Sequence, residues 1–184
     1  MQSRRNHHIG TGDLFLFWGL FQKAEEPPFH AIWGYMQVEK TVKDPDEIQK
    51  YWWHPHGSGH YRNQAKNTLY VGAKHLAGIA GPASLPGYGV FEFDENTRPL
   101  LKLPRENDTC LTHWRPDALP WPDWENRKAN MTYHPDRNEK RYFIGSRSRG
   151  YFQAANRGQE FIVDQVDART LQWLANLLRC RNSN

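Results

Sequence analysis

The densest run of chemistry-bearing side chains in this sequence is Tyr51–Arg62, YWWHPHGSGHYR. His54, His56 and His60 could offer three imidazoles to a zinc ion. Structural zinc takes four ligands, commonly with thiolates among them, and catalytic zinc adds a water and outer-shell partners. The H-x-H-x3-H spacing matches no strong zinc pattern, and Gly57 and Gly59 loosen the loop. The expectation is therefore no metal and no cofactor. The same loop sets Trp52, Trp53 and Tyr61 beside Arg62, a combination that can stack a base and neutralise its phosphate. The competing reading is that these tryptophans pack inside the protein.

Acid–base chemistry has one candidate pair. Glu160 sits in the otherwise apolar stretch GQEFIVD, and a carboxylate on a half-buried strand must be exposed, paired or shifted in pKa. With His56 it would form the catalytic pair of a base-modifying enzyme. The alternative is an outward-facing Glu160 paired with an arginine. The basic run SRSRG, Ser146–Gly150, has Arg141 before it and Arg157 after it. Arg147, Arg149 and Arg157 join Arg62 as candidate phosphate ligands, or else form a solvated surface run. Serine-nucleophile, P-loop and dinucleotide-binding motifs are all missing.

The elements that must position these groups are mostly strands. The 184 residues can bury one substantial core, and one domain over residues 1–184 is expected. A charge of +4 with a pI near 9.1 tolerates a polyanionic partner without requiring one. The chain is 14% aromatic, with eight tryptophans, although its mean hydropathy is −0.87. Rings are thus plentiful where aliphatic residues are scarce. Cys110 and Cys180 make neither a disulfide framework nor a CxxC pair, and the N-terminus has no apolar leader region. A cytoplasmic protein with no membrane association is expected.

Leu14–Trp18 is a continuous apolar run between glycines, which suits a strand buried on both faces and is far short of the ~20 residues of a membrane span. Its leucines and phenylalanines read as core, and Trp18 as the residue most free to line a pocket. In HAIWGYMQVEK, Ile32, Gly34, Met36 and Val38 alternate with Trp33, Tyr35, Gln37 and Glu39, giving one apolar face and one mixed face. A helical turn near Pro45–Tyr51 and short strands at TLYVGA, Val90–Phe93 and Arg157–Asp164 follow. Residues 94–141 read as loops and turns. Leu171, Leu174, Leu177 and Leu178 define a C-terminal helix capped by Asp167.

In order, GTGDLFLFWGLF, HAIWGYMQVEK, NTLYVG, LPGYGVFEF and RGQEFIVD resemble the blocks of a bacterial and phage family, the third nucleotide-modification-associated domain family. The resemblance runs from Gly10 to the C-terminal helix. It implies a role in installing, processing or recognising modified DNA bases, with DNA or a nucleotide as partner. It also implies a preceding segment with a Lys-Gly-Phe-Asp-Ser-like motif, which this sequence starts downstream of.

The Gly-Asp turn into a buried strand, and the glycine midway along the next, are similar to small PUA-like barrels of the EVE and ASCH class. That similarity implies an extruded base held between rings. Trp18 and Trp33 would come together across the strand pair, with Trp52, Trp53 or Tyr61 closing the pocket. The expected fold is a single β-rich α+β domain of PUA-like open-barrel form with a C-terminal helix. The expected function is nucleic-acid or nucleotide binding, the alternatives being a base-modification enzyme or a scaffold subunit.

Overall fold

The computed structural model describes residues 9–58, 67–78, 85–120, 130–131, 142–154, 161–162 and 166–180, with backbone alone at 130–131 and 161–162. In chain order the elements are β1 (Leu14–Phe21), β2 (Phe29–Val42), α1 (Pro45–Gln49), β3 (Leu69–Gly72), β4 (Tyr88–Val90), α2 (Arg98–Leu101), β5 (His113–Trp114), β6 (Asn130–Met131), β7 (Phe143–Ile144), β8 (Tyr151–Gln153), β9 (Phe161–Ile162) and α3 (Ala168–Leu178). This is a mixed α+β protein with antiparallel sheets and a C-terminal helix. The chain divides into two compact units. The first takes Met1–Leu16, Tyr35–Gly78 and Pro82–Gly89, and the second takes Phe17–Gly34, Ile79–Gly81 and Val90–Asn184. Strands β1 and β2 therefore give one end to each.

The first unit is built on the latter half of β2. Along one edge, Val38 N–H donates to Asp13 O and Gly12 N–H to Val38 O, both at 2.8 Å. Along the other edge β3 pairs antiparallel from Val38↔Gly72 to Val42↔Leu69. At Gln37 the edge changes hands: its carbonyl accepts from Ala73 N–H (2.8 Å) while its own N–H donates to Gly87 O (2.6 Å). The Gln37 side chain is buried and fully used. Nε2 donates to Gly12 O (3.1 Å) and Ala77 O (2.8 Å), and Oε1 accepts from Ala77 N–H (2.7 Å). An unsatisfied amide there would be costly, so these bonds fix the segment leaving β3. Gly87 is obligatory, because a Cβ would lie 2.2 Å from Ala73 O. Val42, Ile48 and Leu69 form this unit's core cluster, with Tyr51 and Val71 packed against it. Helix α1 starts where Asp44 Oδ1 accepts from the Asp46 and Glu47 N–H groups and Pro45 opens the first turn.

The second unit carries the sheet β5-β8-β7. Its register, Trp114↔Phe152 and Phe143↔Phe152, sets three large rings on one face, all fully buried. Their neighbours His113, Ile144, Tyr151 and Gln153 occupy the other face. The run SRSRG is the turn of the β7–β8 hairpin. It needs Gly145 at φ +76°, and Gly150 has no room for a side chain, whose Cβ would sit 2.0 Å from Ile144 O. Residues between α2 and β5 join the strands beside them: Leu103 N–H donates to His30 O, and Arg115 N–H to Leu103 O. Helix α3 buries Leu174, Leu177 and Leu178, and Asp167 caps it by accepting from Thr170 N–H and Oγ1–H.

Two expectations are corrected. Among the described residues the sheets do not close into a barrel: β3 and β4 are four and three residues long and share one edge of β2, with no continuous outer strand there to be paired. Strand β1 is half-buried rather than sealed, since β2 is its one strand partner among the described residues. On the mixed face of β2, Tyr35 and Gln37 are buried, as Ile32 and Val38 are on the apolar face. Tyr35 is accommodated by donating its hydroxyl to Pro86 O (3.0 Å).

Candidate functional site

In the second unit, the outer halves of β1 and β2 carry rings on both faces, and Trp33 is the exposed ring that β2 contributes there. Alternation sets Phe17, Gly19 and Phe21 against Phe29 and Trp33. Trp33 stacks on Phe17 with centroids 5.3 Å apart and planes 24° from parallel, and keeps 42% of its surface in solvent. Gly19 lies bare between two rings: a Cβ there would meet Phe21 Cε2 at 3.6 Å and Trp33 Nε1 at 3.7 Å. Beyond it runs a stack of Phe21, Phe29 and Phe93, at 6.4 and 5.4 Å. Two cations stand over Phe29, Lys102 Nζ at 5.2 Å and Arg98 at 5.6 Å. Arg98 is committed to an ion pair with Glu26, and its hydrogen bond holds that carboxyl below the usual range. Lys102 makes no ion pair among the described residues.

Trp18 goes the other way. Its ring meets His30 edge-on and Trp114 edge-on, both at 4.8 Å, and Trp114 Nε1 donates to His30 Nδ1 at 3.0 Å. Trp18 and Trp33 thus lie on opposite faces and do not form a sandwich, because adjacent β1 positions 17 and 18 must diverge. Phe17, read as core, is the ring that supports Trp33.

Trp52 and Trp53 belong to the first unit and are 73% and 65% exposed. They meet edge-on at 87°, and Trp53 tilts 57° against Tyr51. Their exposure suits contact, but they present no parallel platform. His56 is tied down by Asn67: Nδ1 lies 2.6 Å from Asn67 Oδ1, and Asn67 Nδ2 donates to the His56 carbonyl. His54 Nδ1 accepts the His56 N–H (3.2 Å), so these two imidazoles organise the turn. Arg147 and Arg149 sit in the β7–β8 turn, with Arg149 exposed. His60, Tyr61, Arg62, Arg157 and Glu160 lie outside the described residues.

Sequence reasoning passed over the carboxylate–imidazole pair that does form. Asp108 Oδ2 lies 2.9 Å from His113 Nδ1, and Asp108 Oδ1 accepts the Cys110 N–H at 2.9 Å. That backbone bond, with help from His113, draws the Asp108 pKa below its ordinary value. His113 stacks on Tyr151 (4.0 Å, 25°), and the Arg105 guanidinium stands 6.0 Å from the centre of the same ring. The turn leading into this pair places Asn107 at φ +59°, a conformation that asparagine tolerates better than most residues. The signal was RENDTCLTH, an Asp five residues before a His, but only pairing with β8 makes that spacing meaningful.

Among the described residues no three His, Cys, Asp or Glu side chains are grouped to hold a metal, and no helix is long and apolar enough to cross a membrane. Neither a curated protein nor a solved structure matches the chain. A sequence model of the family described as nucleotide modification associated domain 3 matches residues 3–164, and the chain belongs to that family.

Proposed function

With membership of a nucleotide-modification family as the premise, we propose that this protein binds a nucleotide or nucleic acid and reads a modified DNA base by stacking it on Trp33. The observation that carries the reading is the Trp33–Phe17 stack, a near-parallel and partly solvent-facing indole beside the bare Gly19. A base gains about 1–3 kcal/mol from stacking on such a ring, comparable to the few kcal/mol needed to extrude it from a duplex. Lys102, over Phe29, supplies the charge for the adjoining phosphate, and exposed Arg149 offers a second contact.

The test is fluorescence anisotropy with matched duplexes, carrying ordinary or modified bases, at two salt concentrations. Tighter binding to modified DNA is expected, with loss of roughly tenfold in affinity in Trp33→Ala, as removal of one stacked ring implies. Lys102→Ala is expected to weaken both duplexes and flatten the salt dependence. Binding that ignores salt and survives Trp33→Ala would overturn the proposal.

A further inference from the structure

We propose that Asp108, His113 and Arg105 form an acid–base site for a nucleoside phosphate, with His113 Nε2 taking a proton from the ligand. The nucleotide reading enters only through the identity of that ligand.

The geometry fixes which nitrogen is available. Ionised Asp108 can only accept, so Nδ1 of His113 must donate to it, and the neutral imidazole then carries its lone pair on Nε2. The carboxylate is itself held by the Cys110 N–H, and the ring plane is held by Tyr151. A histidine oriented by a carboxylate at one nitrogen and presented at the other is the arrangement of a general base. Among the described residues nothing bonds Nε2, and it is not one of the sealed polar atoms. The His113 side chain retains 26% of its accessible surface. No further imidazole, thiol or carboxylate joins the pair in a metal-binding group among the described residues.

Arg105 supplies the anion contact. Its backbone N–H donates to His113 O at 2.9 Å, which ties it to β5, and its guanidinium shares the Tyr151 ring with His113. It makes no ion pair among the described residues. A phosphate on Arg105 brings an O–H or N–H of the same ligand to His113. The ligand's O–H or N–H bond breaks, its electron pair stays on the ligand, and the proton forms the new Nε2–H bond. The imidazolium that results is balanced by Asp108, and the proton is later returned to product or water.

The experiment is carbethoxylation by diethyl pyrocarbonate of the full chain, read at each of the nine histidines by mass spectrometry. His113 is expected to react several-fold faster than His56, whose Nδ1 faces an amide rather than a carboxylate. The advantage is expected to disappear in Asp108→Asn. A nucleoside 5′-monophosphate is expected to slow modification of His113 several-fold, and Arg105→Ala to abolish that protection. If Asp108→Asn does not fold, the tautomer of His113 in the unaltered protein, read by nitrogen-15 NMR, decides: Nδ1–H is expected. A His113 that reacts no faster than His56, that carries its proton on Nε2, or that no nucleotide protects would each overturn the proposal. Loss of protection with Trp33-dependent DNA binding intact would sink this site alone. Protection by nucleotide in a protein that does not bind DNA through Trp33 would sink the stacking reading alone.

Discussion

The two faces of the β1–β2 pair in the second unit use the same chemistry to opposite ends. On one, Trp18, His30 and Trp114 meet edge-on and share an indole-to-imidazole hydrogen bond, with Trp114 and His30 wholly buried. On the other, Phe17 and Trp33 lie nearly parallel with Trp33 half in water. The aromatic content of a strand therefore says little about its job. A shift of one residue decides which neighbours a ring meets: Trp18 meets the buried His30 and Trp114, whereas Phe17 meets Trp33.

The largest effect that could break this contrast is on stability. Trp114→Ala should cost about 3–5 kcal/mol, as removal of a fully buried large side chain does. Trp33→Ala should cost about 1 kcal/mol or less. Urea denaturation of both variants checks the pair, and equal losses would erase the distinction. A smaller effect sharpens it from outside: Asp167→Ala removes the α3 cap and should cost about 1 kcal/mol without touching either aromatic face. The smallest is a pH effect at Asp108. Its pKa is lowered in the folded protein, so its stabilisation is present above the ordinary aspartate range, near 4, and is lost as pH falls through the folded value. Asp108→Asn should leave thermal unfolding less acid-sensitive than in the unaltered chain, and an unchanged acid limb would argue that neither the Cys110 N–H nor His113 holds the carboxylate firmly.

Much of the scaffold was legible in local pattern. The alternation of Ile32 to Glu39 announced β2, and the leucine spacing with Asp167 announced α3 and its cap. The helical turn expected near Pro45–Tyr51 begins at Pro45 as α1. The β5-β8-β7 sheet was not legible, because its strands are two or three residues long and carry no period to detect. Its existence depends on Trp114, Phe143 and Phe152 meeting from positions far apart in sequence. The site divides likewise. Trp33 could be named from its strand, but its partner could not, since register and not composition chose Phe17 over Trp18. Asp108 and His113 were hidden for the same reason as the sheet that aligns them.

Gln37 has a consequence for the timing of motions in the first unit. Its backbone and side chain together hold the Gly12, Ala73, Ala77 and Gly87 peptide groups. Backbone opening at Gln37 releases the amide protons of Gln37 and Ala73, whereas rotation of its side chain alone is enough to release Ala77. In deuterated water the Gln37 and Ala73 amides are expected to exchange together, and Ala77, 40 residues from Gln37 in the chain, at an equal or lower opening free energy.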